Sequence, residues 1–188
     1  MVSVTEIGHA LYGSYRLARA DRRGLAYLDR SLAGCRRSFI AAVLTLPAFY
    51  LLLFLHIGDA ELERSGWQQI LLVETIGDAI SWTAFPLAVL PMLRWLGIAD
   101  RWPGFITAYN WASVLQMGIQ LVTNSIAGLI GDPSIGALIV MLGIIVALVY
   151  EWYVCKVALD ITSLPATAIV LFDLVLGLAI NSVTTSLY

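Results

Sequence analysis

Glu74 and Asp78 stand four residues apart in a stretch, 69–92, that is otherwise apolar enough to cross a lipid bilayer. On a helix that spacing is about one turn, so both carboxyls project from nearly the same face. Asp173 sits in a second such stretch, 164–187. An ionised carboxylate near the centre of a spanning helix costs roughly 3 kcal/mol on insertion scales. Partners, water or a bound proton must offset that cost. The third apolar stretch supplies candidate partners. Asn110, Ser113, Gln116, Gln120, Thr123 and Asn124 fall within an arc of roughly 140° at 100° per residue, with Leu115, Ile119 and Val122 opposite. Glu74, Gly77, Asp78 and Ser81 share one face of the second stretch, and Asp173, Gly177, Asn181 and Thr184 one face of the fifth. Depth places Asp78, Gln116 and Asp173 near the bilayer centre. The spacing therefore predicts an intramembrane polar cluster drawn from Glu74, Asp78, Gln116, Gln120, Asn124, Asp173 and Asn181.

Two chemistries suit such a cluster. In the first, carboxylic acids held neutral are bonded by amides of neighbouring helices, at about 0.6–1.7 kcal/mol per contact. In the second, the acids relay a proton, an ion or a polar solute, the usual suspicion for intramembrane carboxyls. No basic residue lies at the same depth to form an internal ion pair. Glu74, one turn nearer the outer surface, is within reach of water, whereas beyond Ser81 the chain offers Phe85, Pro86 and Leu90. A path that ends at the midplane favours structural bonding over a through-channel. A membrane enzyme would need a nucleophile or metal set, and none is found.

The elements that must hold these residues follow from composition. Hydrophobic residues make up 60% of the 188-residue chain, charged residues 13%, and the mean hydropathy is +0.84. That is too apolar for an ordinary water-soluble domain. Inside lipid every backbone hydrogen bond must close internally, so helices are expected. The apolar runs are continuous rather than alternating, which excludes an outer-membrane barrel. Five runs qualify as spans: 39–57, 69–92, 105–130, 135–155 and 164–187. The expected fold is all-α, a five-helix transmembrane domain over 39–188 preceded by a leader over 1–38.

Basic residues set the orientation. Arg16, Arg19, Arg22, Arg23, Arg30, Arg36 and Arg37 lie in the leader, Arg94 and Arg101 in the second loop, and Lys156 opens the fourth. The first loop has only Arg64 among Asp59, Glu61 and Glu63, and the third only Asp132. The positive-inside rule makes the leader cytoplasmic and the C-terminus external. No cleavable signal peptide is evident before the first span.

In the leader, Val4, Ile7, Leu11, Tyr15 and Ala18 recur at helical spacing. Two short amphipathic helices on the cytoplasmic membrane surface are expected, broken at Asp21-Arg22-Arg23-Gly24. Arg16, Arg19, Arg22, Arg23, Arg36 and Arg37 would face anionic lipid, each gaining about 1 kcal/mol near the surface. A docking platform for a cytoplasmic partner is the alternative.

Other features point to architecture. Pro86 and Pro91 should distort the inner half of the second span, and Pro47 the first. Gly136, Val140, Gly143 and Ala147 form a smooth stripe on the fourth span. With the Gly131-Asp132-Pro133 turn, it predicts antiparallel packing of the third and fourth spans. Trp67, Trp82, Trp95, Trp102, Trp111 and Trp152 mostly fall near interfaces, as an aromatic belt does. Glu151 and Lys156 read as interfacial. Cys35 and Cys155 lack metal-site spacing, and His9 and His56 lie far apart. Phosphate loops, nucleophile elbows and zinc-protease helices are absent. No metal, cofactor or nucleic acid is expected.

The five spans, inside leader and short outside C-terminus resemble the Yip-domain membrane proteins. The junction Tyr150-Glu151-Trp152-Tyr153-Val154-Cys155-Lys156-Val157-Ala158-Leu159, continuing from Asp160 to Ala166, is similar to that of bacterial members. The Asp-Leu-Tyr-Gly-Pro motif of eukaryotic leaders is absent, and Ala10-Leu11-Tyr12-Gly13-Ser14 is its nearest counterpart. Arginine in place of lysine, and Arg-Ser-Phe-Ile-Ala-Ala at the entry to the first span, look like an alphaproteobacterial inner-membrane protein. Eukaryotic members assist vesicle trafficking as membrane scaffolds. The resemblance implies a non-enzymatic scaffold or accessory subunit that meets a membrane-protein partner or a second copy of itself. The alternative is a small proton-coupled carrier or channel using the intramembrane carboxylates.

Overall fold

Local signals start and stop the helices where the chain must turn. Ser3 accepts a hydrogen bond from the Glu6 amide and opens α1 (Val4–Ala18), half of a capping box. Asp21 caps a 3-10 turn over Arg22–Tyr27, and Ser31 caps the short α2 (Leu32–Ser38). After Phe39 the chain continues as α3 (Ile40–His56). The next helix, α4 (Asp59–Trp95), is broken at Gly66, whose φ of 69° lies in the region that favours glycine. A 3-10 turn, Ala99–Arg101, leads into α5 (Trp102–Ile130). Gly131 ends α5 in a left-handed conformation, and Asp132 caps α6 (Pro133–Leu159) with Pro133 in its first turn. The last helix is α7 (Ser163–Thr185).

This computed structural model describes residues 2–188, and among them there is no strand. Five helices are long and apolar enough to cross a membrane, the first formed by α2 and α3 together and the others carried by α4, α5, α6 and α7. The chain is an all-helical, multi-pass membrane protein. The five spans expected from hydropathy each correspond to one of these helices. The helices run past the expected limits at several ends, and α6 reaches Leu159 rather than 155.

α5 is the central element. It packs antiparallel against α6 along most of its length and also meets α1, α2 and α3. The glycine stripe of α6 makes this possible. A Cβ on Gly143 would come 2.6 Å from Thr123 Oγ1, and one on Gly136 would touch Ala127. α7 lies between α6 and α4. The Tyr50 and Thr75 hydroxyls, 2.7 Å apart, link α3 to α4. Pro86 and Pro91 both lie inside α4, and the Pro86 carbonyl accepts a hydrogen bond from Trp102 Nε1 at 2.8 Å. Trp102 is thus fixed to a neighbouring helix, and Trp111 is buried in the core. Neither behaves as a simple belt residue.

The leader does not trail away from the bundle. Ala10, Gly13, Ser14 and Leu17 form the buried face of α1, whereas Val4, Tyr15 and Ala18 of the expected apolar stripe are exposed. Small residues won this face because α1 approaches its neighbours closely. A Cβ on Gly13 would lie 2.8 Å from the Gly24 carbonyl oxygen. Tyr150 donates its hydroxyl proton to the Ser14 carbonyl, and Tyr153 to that of Ala20. One core cluster joins the leader to the spans through Leu17, Leu28, Phe105, Ile106, Val154 and Leu159.

Candidate functional site

The strongest concentration of buried polar chemistry lies where α5, α6 and α7 meet. Tyr109 on α5 donates to Asp173 Oδ2 on α7 at 2.7 Å. Its ring packs tilted on that of Phe85 from α4, with centroids 4.6 Å apart. Glu151 on α6 is buried and lies near the Asp173 carboxyl, with Gln116 of α5 beside it. Gln116 also donates Nε2 to the Ala147 carbonyl at 3.1 Å. Glu151 lies eight residues, or about 12 Å, from the leader-side end of α6. Asp173 lies ten residues, or about 15 Å, from the same end of α7. Both carboxyls therefore sit deep in the bundle.

Chemically this is a carboxyl dyad with a phenol donor and an amide. Two bare carboxylates this near each other would repel strongly in a low dielectric, and a proton on either one would relieve that repulsion. Tyr109 orients Asp173 through its hydroxyl. Among the described residues, no lysine or arginine is ion-paired to the dyad. On the leader side it is sealed by Phe85, Val89, Phe105 and Ile169, all nearly inaccessible.

The sequence-derived cluster divides between two places. Gln116 and Asp173 meet in the dyad. Asp78 lies on α4 near Glu74 and Trp82 of its own helix, and among the described residues no hydrogen bond joins it to Asp173, which is bonded to Tyr109 instead. Glu74 is buried and accepts the Tyr188 hydroxyl at 2.7 Å on Oε1. Tyr188 is anchored in turn by Ser65, which donates to its carbonyl, while Gln69 donates to Leu187. Asn181 is exposed and lines a cavity of about 550 Å³ with His56, Glu61, Arg64, Glu74 and Tyr188. This cavity opens at the end of the bundle away from the leader. Asn124 donates to the Gln120 carbonyl one turn back on α5.

Asn110 lies apart from both groups. It is fully buried and donates Nδ2 to Ser38 Oγ at 2.9 Å, tying α5 to the end of α2. Glu151 and Tyr109 were missed by the sequence reading. Glu151 stands beside Trp152, Tyr153 and Lys156, a run typical of a membrane interface, yet it is buried. The available signal was the length of α6, which places Glu151 two turns inside its end.

The leader arginines are also divided. Arg16 pairs with Asp21, Nε to Oδ2 at 2.7 Å, and lies over the Tyr27 ring. Arg37 bridges Glu6 at 2.7 Å and Asp29 at 2.5 Å. The hydrogen bonds from Arg16 hold the Asp21 carboxyl below the usual carboxylate range. Those from Ser31, with Arg37 adding to them, do the same for Asp29. Arg19, Arg22, Arg23 and Arg36 remain exposed. Lys156 is held by Ser163 and lies over the Trp152 ring. Cys35 and Cys155 are buried free thiols.

Comparison with protein-family models, curated proteins and solved structures finds no match to this chain.

Proposed function

We propose that this chain is a non-enzymatic integral membrane protein, a Yip-like scaffold or accessory subunit that acts through a membrane-protein partner or a second copy of itself. The observation that carries this reading is the seal on the leader side. Phe85, Val89, Leu93, Phe105 and Ile169 belong to one buried apolar core beneath the docked leader, which a polar path to that end would have to cross. A solid, covered end suits a structural part better than a conduit. The orientation belongs to the same proposal. The leader lies in the cytoplasm and the C-terminus outside, in a bacterial inner membrane, as the distribution of arginines implies. Anionic lipid would meet the exposed Arg19, Arg22, Arg23 and Arg36.

Cross-linking in native membranes, followed by purification, tests the main reading. A stable co-purified membrane protein or a cross-linked dimer is expected; a chain that is recovered only as a lone monomer overturns it. Orientation is checked by Asn181→Cys, whose exposed site should react with an impermeant thiol reagent from outside the cell.

The second reading is a proton-coupled carrier or channel, and the Glu151–Asp173 pair favours it. Such a dyad, with Tyr109 donating to one member, can hold and release one proton. If Glu151→Gln and Asp173→Asn leave proton and solute flux in proteoliposomes unchanged, the carrier reading fails.

A further inference from the structure

The leader-side end of the bundle holds a polar cavity of about 530 Å³ where four separate segments meet. This size lies within the range of about 300–1,000 Å³ typical of small-molecule sites. Three arginines line it: Arg22 from the 3-10 turn of the leader, Arg30 from the loop before α2, and Arg101 from the turn before α5. Their charge is only partly answered. Arg22 has a loose ion pair with Asp160 at 3.7 Å, both side chains being largely exposed. Asp100 is exposed at the lining. Arg101 donates to the backbone carbonyls of Leu159 and Asp160, which orient it without neutralising it. Arg30 has no acidic partner among the described residues. Its stem lies against Gly104 in the first turn of α5, where an added Cβ would come 3.1 Å from Arg30 Cβ. That first turn has no side-chain cap, so its backbone amides add to the positive field. The remaining wall is apolar: Leu25, Val157 and Ala158.

From this convergence of Arg22, Arg30 and Arg101 on one mainly polar cavity with an apolar wall at the end of the spans, we propose a specific binding site for a phosphate group, supplied by an anionic phospholipid headgroup. Arginine forks match phosphate oxygens, and basic pockets beside spanning helices are suited to acidic headgroups. The apolar wall would take the glycerol end of the lipid, which free phosphate lacks. This site deepens the lipid part of the proposed function. It involves two arginines, Arg30 and Arg101, that a general surface attraction would not single out. It is also independent of the partner test, because cross-linking can succeed whether or not the cavity binds lipid.

The test uses the full chain in mixed micelles containing phosphatidylglycerol or phosphatidylcholine, with bound lipid read by native mass spectrometry. One phosphatidylglycerol should be retained in preference to phosphatidylcholine. Arg30→Gln should weaken its binding about fivefold, the equivalent of one arginine contact, and Arg30→Lys should restore part of it. Arg94→Gln, an exposed charge outside the cavity and outside the lipid-facing leader set, should have little effect. An unchanged thermal transition for Arg30→Gln shows that folding is intact. Displacement of the lipid by excess inorganic phosphate, with the same loss in Arg30→Gln, would support the phosphate site and assign its source to solution. Equal retention of the two lipids, or equal weakening by Arg30→Gln and Arg94→Gln, would overturn the proposal.

Discussion

The two ends of the bundle are built differently. On the leader side, α1, α2 and the ends of all the spanning helices converge on one core, in which Leu17, Phe85, Ile106, Val89 and Leu159 are almost wholly inaccessible. On the far side the helices join mainly in pairs. α5 and α6 hold together through Gly143 against Thr123, and α4 and α7 through Gly77 against Thr184 and Glu74 against Tyr188. Many large apolar side chains there face outward, with Leu129 at 87% exposure. The difference has a physical origin. The leader end must bury apolar surface from water, which rewards a converged core. Within lipid that driving force vanishes, and close approach of small residues with a few polar bonds suffices.

The largest test of this contrast is truncation in each half. Phe105→Ala should cost about 3–5 kcal/mol and Leu17→Ala about 2–5 kcal/mol, whereas Leu129→Ala should stay within about 0.5 kcal/mol. Reversible unfolding in mixed detergent micelles measures all three. A cost for Leu129→Ala as large as that for Leu17→Ala would break the comparison.

Next come the glycines. An alanine Cβ at Gly24 would run into the Gly13 carbonyl and the Leu17 side chain, so Gly24→Ala should cost about 1–3 kcal/mol by overpacking. At Gly118 a Cβ meets nothing within 4 Å. Gly118→Ala should therefore stabilise α5 by about 0.5–1 kcal/mol. The same unfolding assay decides, and the prediction is a change of sign between the two variants.

A smaller effect separates the two phenols that donate to carboxyls. Tyr109→Phe removes the hydrogen bond to Asp173 between α5 and α7 and should cost about 0.6–1.7 kcal/mol. Tyr188→Phe removes the bond to Glu74 and should loosen mainly the C-terminal turn. Amide hydrogen exchange distinguishes them: the first variant should speed exchange in three helices, the second only near the chain end.

The smallest effect is a pH dependence confined to the leader. Asp21 and Asp29 are held below their ordinary value of 3.8, by bonds chiefly from Arg16 and from Ser31 respectively. A lowered folded-state value means that their stabilisation is complete above about pH 4 and is lost as pH falls through the depressed values. Amide NMR signals of α1 and the following turn should shift on acidification below that point. Far-side signals of α7 should not follow the same titration; if they do, the ion pairs are not what is being read.

Much of the fold was legible in the chain because the signals are local. Hydropathy runs mark the spans, Gly131-Asp132-Pro133 marks a turn, and the stripe from Gly136 to Ala147 marks the α5–α6 contact. The polar arc of α5 was legible as a face, yet it was not legible which partner each residue would meet. Asn110 went to Ser38, Gln116 to α6, and Asn124 to its own backbone. The bundle-facing side of α1 was not legible, because helical periodicity of large apolar residues does not reveal a close approach. There, Ala10, Gly13 and Ser14 are selected by the space available rather than by hydrophobicity.

By itself the sequence determined an all-helical chain with five membrane-spanning segments and an arginine-rich leader, since length, apolarity and charge are properties of short stretches. Only the tertiary structure decided which carboxyls meet. Glu74 and Asp78, neighbours on one helix, take separate surroundings from Asp173, while Glu151 joins Asp173 from a helix that ends beneath a folded leader. The rotation of each helix about its axis is set by packing against all its neighbours at once, and that information is not contained in any one of them.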